Sequence, residues 1–438
     1  MKAIVIGGGL AGSEAALQLA KKNISVDLYE MRPEKSTGAH TTDLFAELVC
    51  SNSLGSNDIG VASGLLKEEL RLLGSFLIDL ADECKVPAGN ALAVDRELFG
   101  QKVTDLIKKN PLINIIKTEA KFIPENCACI VASGPLTSDE LSKDIAKFTD
   151  KDNLHFFDAI APIIEKDSIN FEKAFYASRY NKGEASYINC PMDEQEYKRF
   201  YDILVNSPRI ELKDFEKSTF FESCLPVEVL ASRGIDTLRF GPLKPVGLIN
   251  PTTDKEAYAT VQLRQDNMSA TLYNMVGFQT NLKWGAQKEL IQSIPGLENA
   301  NIVRFGVMHR NTFIFSPSVL TPSLQSKKRK DLFFAGQITG VEGYTESIAT
   351  GLLAGINLAN HLKEQSLLEL PDITILGALS KYITFENHTK LNPINSNWGI
   401  LKEMDMDRKI RKNKKLKNNL LANRSLDYLK SNLTSPSA

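Results

Sequence analysis

The stretch KAIVIGGGLAGSEAALQLAKKNISVDLYE, residues 2–30, decides the fold. Its first five residues form an apolar run that predicts a buried strand, and a glycine-rich turn follows. Residues 13–22 (SEAALQLAKK) then predict a helix and residues 24–30 (ISVDLYE) a second strand. Strand, helix and strand in this order make a βαβ unit, which places both strands in a parallel sheet. The sequence therefore predicts an α/β fold of the Rossmann-like type.

The turn has the spacing Gly7-x-Gly9-x-x-Gly12, which is typical of dinucleotide-binding folds. Gly7 permits the tight turn, Gly9 lets the backbone approach a pyrophosphate, and Gly12 lets helix and strand pack closely. The N-terminus of the helix adds N–H groups and the positive end of a dipole. A glycine turn without a ligand is the alternative, but the flanking strand and helix favour a cofactor. The predicted cofactor-binding residues of this turn are Gly7, Gly8, Gly9, Leu10, Ala11 and Gly12.

The second strand ends at Glu30, 18 residues beyond Gly12. A carboxylate at this place can accept a hydrogen bond from a ribose 2′-hydroxyl, whereas it disfavours a 2′-phosphate. The sequence therefore predicts that Glu30 binds the cofactor and that NADP does not occupy this site.

A second strand and glycine turn occurs late in the chain, at residues 331–353 (DLFFAGQITGVEGYTESIATGLL). In two-part flavin folds such an element brings a second helix N-terminus to the flavin, and a nicotinamide enzyme has no need of it. Gly336 and Gly343 are the cofactor-binding residues predicted here, and residues 131–134 (VASG) resemble a third element of this kind. The alternative is a tight turn that any α/β domain can contain. The three elements together favour FAD.

The length of 438 residues is more than one core accommodates. Between the glycine elements, residues 186–300 contain short strands, several proline turns and an alternating hairpin candidate at 257–279. We therefore expect a Rossmann-like FAD-binding domain, residues 1–185 and 300–438, split by an α/β insertion domain at residues 186–299.

Composition excludes several classes of protein. No run of 18 apolar residues occurs, so we expect no membrane span, and the N-terminus predicts a strand rather than a signal peptide. Six cysteines without a CxxC pair indicate reduced thiols and a cytoplasmic protein, and five scattered histidines argue against a metal site. The net charge of −1 means that any nucleic-acid contact must come from local basic patches.

Two cysteines stand in polar, turn-like surroundings: Cys50 in LVCSNS and Cys224 in FESCLP. Such a cysteine is more often a small buried apolar residue than a nucleophile, and spacing alone does not decide between the two.

Five blocks of the chain resemble one family, the folate- and FAD-dependent tRNA (uracil-5-)-methyltransferases. The resemblance covers nearly the whole chain, and Ser223, where a glycine is expected, is a mild departure. The blocks are VIGGGLAGSEAA (5–16), VCSNSLGSN (49–57), FFESCLPVEVLASRG (220–234), RFGPLKPVGLINP (239–251) and AGQITGVEGYTESIATG (335–351).

The resemblance implies formation of 5-methyluridine, most simply at position 54 in the T-loop of tRNA. In this family the carbon comes from 5,10-methylenetetrahydrofolate by way of the flavin, and NADH or NADPH supplies the reducing equivalents. Cys224 is then the nucleophile that adds to C6 of uracil, and Cys50 assists near the flavin, for example by removing the C5 proton. A thiolate needs a lowered pKa, and Arg233 and Lys244 are candidate charges for that purpose.

Two weaker features complete the predicted site. His309 and Tyr344 are candidates for contact with the folate, since a flat ring can stack on a pterin, although His309 could equally be a packed core histidine. The run RKIRKNKKLK at 408–417 carries seven cations. Such a run is often a solvated helix face, but the resemblance favours contact with RNA phosphates. The predicted RNA-binding residues are Lys409, Arg411, Lys412, Lys414 and Lys415.

Three other functions compete with this interpretation. The same chemistry could act on a ribosomal RNA uridine, and no residue decides between the two targets. A sister flavoprotein family modifies wobble uridine, but its chains are much longer and work with a GTPase partner. A non-catalytic, flavin-bearing RNA-binding protein would have no need of Cys50 and Cys224.

Overall fold

The computed structural model describes residues 1–151, 154–181, 184–210 and 225–433. The strands are β1 (Lys2–Ile6), β2 (Ser25–Tyr29), β3 (Ser53–Ser56), β4 (Lys85–Val86), β5 (Ala91–Val94), β6 (Ile113–Ile116), β7 (Cys129–Val131), β8 (Leu154–Ala159), β9 (Ile163–Glu165), β10 (Phe175–Ala177), β11 (Tyr187–Met192), β12 (Ile249–Asn250), β13 (Lys255–Glu256), β14 (Ala259–Gln265), β15 (Leu272–Met275), β16 (Ile302–Arg304), β17 (Met308–Phe313) and β18 (Leu332–Phe334). The helices are α1 (Leu10–Lys21), α2 (Ala62–Leu73), α3 (Phe76–Glu83), α4 (Arg96–Lys109), α5 (Asp139–Thr149), α6 (Glu194–Asn206), α7 (Val227–Ala231), α8 (Thr237–Phe240), α9 (Trp284–Gln292), α10 (Ser316–Val319), α11 (Tyr344–Leu362), α12 (Ile375–Ile383), α13 (Arg408–Lys412) and α14 (Lys414–Leu433).

A five-stranded parallel sheet in the order β18-β7-β1-β2-β6 forms the centre of the first domain. Its three neighbouring strands β18, β7 and β1 each run into one of the three glycine elements predicted from sequence. Because the carboxyl ends of parallel strands lie at one edge of the sheet, these elements meet there. The predicted Rossmann-like fold is confirmed.

Helices α1 and α11 cover this sheet and contact each other closely. Gly351 faces Ala11, and Gly355 faces Ala15, so closely that a side chain at either glycine would overlap the backbone of α1. The small residues allow the two helix axes to approach, and both helices begin at the same edge of the sheet. The N-termini of α1 and α11 therefore point toward the same region at that edge of the sheet.

A six-stranded antiparallel sheet, in the order β10-β11-β14-β15-β9-β16, forms the inserted layer. Its apolar face packs on α6 and α9, with Tyr197, Phe200 and Leu290 in the core. The sheet runs from Ile163 to Arg304, which is wider than the predicted 186–299. The difference arises because β9 and β10 precede the change in composition but pair with strands of the insertion.

The two connections between the halves are paired with each other. Strand β8 leads into the insertion and β17 leads out of it, and the two form an antiparallel ribbon in which His309 lies opposite Asp158. The ribbon carries the predicted folate residue His309 between the two halves of the molecule.

The C-terminal segment is helical over 408–412 and 414–433. Leu421, Ala422 and Leu426 of α14 are buried in the main core, next to α2. Among the described residues, no helix combines the length and the apolar character that crossing a bilayer requires.

Candidate functional site

A cleft of about 990 Å³, which includes space open to solvent, lies at the carboxyl edge of the parallel sheet. All three predicted glycine elements contribute to its wall. The lining residues are 6–11, 29–32, 118–120, 132–138, 336–337, His40, Glu47, Val49, Leu141, Tyr344 and Ser347.

The glycine turn after β1 has the geometry that its spacing predicts. Gly7 has φ +104°, which favours glycine, and a methyl group at Gly12 would overlap the carbonyl oxygen of Gly7. A methyl group at Gly9 would meet no protein atom within 4 Å. Gly9 is also the N-cap of α1, whose first N–H groups have no partner within the helix. The turn thus leaves space for an anion next to the backbone N–H groups of α1 that lack a partner within the helix.

Glu30 lies at the end of β2 and is 5% exposed. Its Oε2 accepts from the N–H of Gly8 at 3.0 Å, and Arg32 donates to both oxygens, at 2.9 Å to Oε1 and 3.1 Å to Oε2. Burial raises the pKa of Glu30, but the hydrogen bonds and charge of Arg32 outweigh burial and hold that pKa below its usual value. Since the N–H of Arg32 also donates to Oε1, the four acceptor sites of the carboxylate are in use. A ribose hydroxyl that binds Glu30 must replace one of these donors.

A network of charges extends from Arg32 along the cleft wall. Its guanidinium also donates to Glu47 at 2.9 Å, and the Glu47 carboxylate accepts from the backbone and side chains of Thr41 and Thr42. Burial and the charge of Arg32 lower the pKa of His40 to about 4, so this histidine is neutral at pH 7. No sequence motif indicated Arg32, His40 or Glu47, because their contacts depend on a loop that carries none.

Helix α11 begins at Tyr344, directly after its N-cap Gly343, and with Gly336 and Ser347 it forms the opposite wall of the cleft. The hydroxyl oxygen of Tyr344 accepts hydrogen bonds from the N–H of Cys50 at 2.7 Å and of Ser51 at 3.1 Å. Burial raises the pKa of Tyr344. The structure therefore brings together Cys50 and Tyr344, which are 294 residues apart in sequence.

The loop that carries Cys50 is held by buried polar contacts on its other side as well. Asn52 is fully buried, and its amide donates to the carbonyl oxygens of Val94 at 3.0 Å and Gln265 at 2.8 Å. Arg96 donates to the carbonyl oxygen of Leu48 at 2.9 Å. Cys50, half-buried, is thus fixed next to Val49, which lines the cleft.

Cys224 lies outside the described residues, but the segment that follows it is well anchored. The N–H of Val227 donates to the carbonyl oxygen of Gln279 at 2.7 Å. The buried carboxylate of Glu228 accepts from the N–H of Asn281 at 2.7 Å and from the hydroxyl of Thr280 at 2.8 Å. Helix α7, which begins at Val227, therefore has a fixed position in the insertion.

Three relatives match the chain over almost their whole length. The methylenetetrahydrofolate–tRNA-(uracil-5-)-methyltransferase TrmFO of Bacillus velezensis is 56% identical over 425 residues, covering 97% of each chain. The proteins of the same name from Bacillus subtilis and Halalkalibacterium halodurans are also 56% identical over 97% of each chain. The chain belongs to the TrmFO family.

A broader family model and one crystal structure agree with this assignment. The model described as glucose inhibited division protein A matches residues 2–366. GidA of Aquifex aeolicus has a similar fold, with a TM-score of 0.70 at 17% identity over 98% of this chain and 73% of that one. The likeness shows that this TrmFO family member shares the GidA fold.

The two residues predicted to contact folate in this TrmFO family member are described to different extents. The backbone of His309 lies in β17, but its side chain is outside the described part of the molecule. Tyr344, predicted to contact folate, lines the cleft and also supports Cys50. Within the described ranges, no group of three or more histidine, cysteine or acidic residues is arranged to hold a metal ion.

The basic run of this TrmFO family member is exposed and largely without acidic partners. Arg408, Lys409, Arg411, Lys412, Lys414 and Lys415 are all exposed. Among the described residues, one ion pair involves them, Arg411 with Asp405 at 3.3 Å. Lys414 and Lys415 stand in the first turn of α14, where the helix dipole disfavours cations. The two lysines destabilise the N-terminal end of α14, and an anion bound to them would offset this effect.

Proposed function

We propose that this member of the TrmFO family forms 5-methyluridine at position 54 in the T-loop of tRNA, with FAD as cofactor and 5,10-methylenetetrahydrofolate as carbon donor. The observation that carries the proposal is the convergence of three glycine elements on one cleft, whose lining residue Tyr344 holds the backbone of Cys50. The 56% identity to methyltransferases of this name supports it.

The cleft fits FAD by shape and by donor chemistry. The turn at Gly7–Gly12 and the N-terminus of α1 suit a pyrophosphate, since Gly9 faces open space. Glu30 would hold the ribose, and the N-terminus of α11 after Gly343 would face the flavin end. Bound FAD supplies reducing equivalents taken from NADH or NADPH, which the conversion of a methylene to a methyl group requires.

The two cysteines divide the chemistry at the uracil ring. The thiolate of Cys224 adds to C6, and the electron pair of the C5–C6 double bond becomes available at C5 for attack on the one-carbon unit. The bond between that carbon and its carrier nitrogen would break in the transfer, and the reducing equivalents would convert the methylene to a methyl group. Cys50 then takes the proton from C5. Loss of the Cys224 sulfur from C6 restores the double bond and the free thiolate. Tyr344 keeps Cys50 at the cleft wall for this step.

The basic run at 408–417 is the proposed RNA contact. Its exposed cations can meet phosphates, and burial of Leu421 and Leu426 fixes α14 to the protein. The run carries no group suited to proton transfer at neutral pH, so its part is binding.

Mass spectrometry of RNA from a strain that lacks this gene tests the target. We expect 5-methyluridine at tRNA position 54 to be lost, ribosomal RNA to be unchanged, and the nucleoside to return with the wild-type gene but not with Cys224→Ala. If 5-methyluridine is lost from ribosomal RNA while tRNA retains it, the same chemistry acts on ribosomal RNA instead. Unchanged RNA of both kinds would contradict the proposed methylation.

A further inference from the structure

Two arginines lie beside the Cys50 loop, and they come from different halves of the molecule. Arg96 belongs to α4 of the parallel-sheet domain. Arg264 belongs to β14 of the insertion, and its guanidinium donates to Ser51 Oγ at 2.6 Å and to Asn52 Oδ1 at 3.0 Å. The insertion thus reaches across to the two residues that follow Cys50.

The charges of the two arginines are compensated differently. Arg96 makes two hydrogen bonds to the carboxylate of Asp266, at 2.6 Å and 3.1 Å, so its charge is largely neutralised. Arg264 hydrogen-bonds only neutral oxygens, and among the described residues no carboxylate lies within ion-pair distance of it. Burial lowers the pKa of Arg264, but an arginine stays protonated in proteins. A positive charge therefore remains next to the Cys50 loop.

A thiolate at Cys50 is close enough to act on both cations. Its charge favours the protonated form of Arg264 and of Arg96, and by reciprocity both cations favour the thiolate. Asp266 is hydrogen-bonded to Arg96 and acts on Arg264 only through its charge, so the charge of Arg264 is the less compensated of the two. The N–H groups of Cys50 and Ser51 are already bonded to Tyr344, so they are not available as hydrogen-bond donors to the thiolate.

We propose that Arg264 is a positioning residue that holds Cys50 as a thiolate and locks its loop to the insertion. For catalysis this rests on the proposed function, in which the Cys50 sulfur takes the C5 proton and becomes a thiol while the electron pair stays on carbon. A thiolate is ready to accept that proton at neutral pH, whereas an ordinary thiol with a pKa of about 8.5 is mostly protonated.

The pH dependence of Cys50 alkylation tests the charge directly. Holoprotein is treated with iodoacetamide from pH 5.5 to 10, and labelling of the Cys50 peptide is followed by mass spectrometry. The wild type is expected to show a midpoint at or below about 7.5. Arg264→Gln should raise the midpoint by about one pH unit and slow labelling at pH 7 several-fold. Arg264→Lys, which keeps the charge, should restore most of the reactivity.

Arg179→Gln is the matched control, because Arg179 also donates to a side chain on β14, Gln262 at 2.9 Å, but is not coupled to Cys50. It should leave the midpoint unchanged. Asp266→Asn gives a test in the opposite direction, since it removes an anion that acts on Arg264 as well as on Arg96 and should lower the midpoint. This variant decides the matter if Arg264→Gln does not fold.

A wild-type midpoint near 8.5, or a midpoint that stays the same in Arg264→Gln with bound FAD and melting temperature retained, would overturn the proposal. An Asp266→Asn midpoint that is unchanged or higher would do so too. The labelling requires neither RNA nor folate. An inactive methyltransferase with Arg264-dependent labelling would therefore contradict the proposed function and leave this inference supported.

Discussion

Gly9 occupies a position where an added methyl group touches no protein atom. We therefore expect Gly9→Ala to keep the fold but to lose FAD, because the methyl group would occupy the path of the pyrophosphate. Flavin absorbance of the purified variant measures the loss, and circular dichroism measures the fold. Gly12→Ala is the contrasting variant, since its methyl group would overlap the Gly7 carbonyl oxygen, and it should lower stability as well. Normal FAD content in Gly9→Ala would show that this turn does not bind the pyrophosphate of the cofactor.

Cys224→Ala should abolish methylation and leave FAD bound, because no other group is proposed to add to C6. RNA containing 5-fluorouridine should form a stable covalent adduct with the wild type, since fluorine at C5 cannot leave as a proton. Gel electrophoresis under denaturing conditions detects the adduct. Cys127→Ala, a change at a half-buried cysteine without a proposed role, should methylate and form the adduct normally. Substantial methylation by Cys224→Ala would show that Cys224 is not the nucleophile.

Glu69 joins three helices of the first domain. Fully buried on α2, it accepts hydrogen bonds from the N–H groups of Ile375 and Leu376 at the start of α12 and from the hydroxyl of Ser425 on α14. Burial raises the pKa of Glu69 to about 7, well above its ordinary value of 4.5. The folded protein thus holds a proton on Glu69 at pH values where the unfolded chain has lost it.

The sign of the resulting pH dependence follows from this difference. The stability contributed by protonated Glu69 is fully present below pH 4.5 and is lost as the pH rises toward 7. Relative to Glu69→Gln, which does not titrate, the wild type should lose about 2.4 kcal/mol between pH 5 and pH 7.5. Urea unfolding of both proteins across this range measures the change. A constant difference between them would show that Glu69 is already ionised at pH 5.

The positions of helices and strands could be predicted where the pattern is local. The first βαβ unit, the hairpin β14–β15 and the strand before α11 lie where their residues indicate. The leucines of residues 61–82 indicate one helix, but the segment forms two, since Gly74 is in the left-handed conformation, φ +76°, and Ser75 caps α3. The limits of the insertion depend on which distant strands pair, and no local pattern contains that information.

The candidate site could be predicted only in part for the same reason. Glycine spacing and the acidic strand end indicated the residues of the cleft, from Gly7 to Glu30 and at Gly336. The charges next to Cys50 are Arg96 and Arg264, and no sequence pattern indicated either of them. Arg233 and Lys244, the candidate charges for a thiolate, stay a prediction. Arg264 is 213 residues from Ser51 in sequence, so tertiary contact alone brings them together.

The whole molecule has a net charge of −1, so RNA binding must come from a local surface. Replacing Lys412, Lys414 and Lys415 with alanine removes three exposed cations and should make the slope of log affinity against log salt shallower by about 2 to 3. Flavin reduction by NADH or NADPH should not change. The matched control replaces Lys85, Lys108 and Lys109, three exposed lysines elsewhere, and should retain the wild-type slope. If log affinity falls with log salt at the same slope in the wild type and in the first variant, the basic run is a solvent-exposed helix face that does not contact RNA.

The transfer of a folate carbon to a tRNA uridine is the central claim, and isotope labelling tests it most directly. The purified protein is incubated with an unmodified tRNA transcript, NADPH and 5,10-methylenetetrahydrofolate labelled with ¹³C in its methylene group, and the nucleosides are analysed by mass spectrometry. We predict 5-methyluridine at position 54 with ¹³C in its methyl group, formed by the wild type and not by Cys224→Ala. A transcript without 5-methyluridine, or with an unlabelled methyl group, would contradict the account.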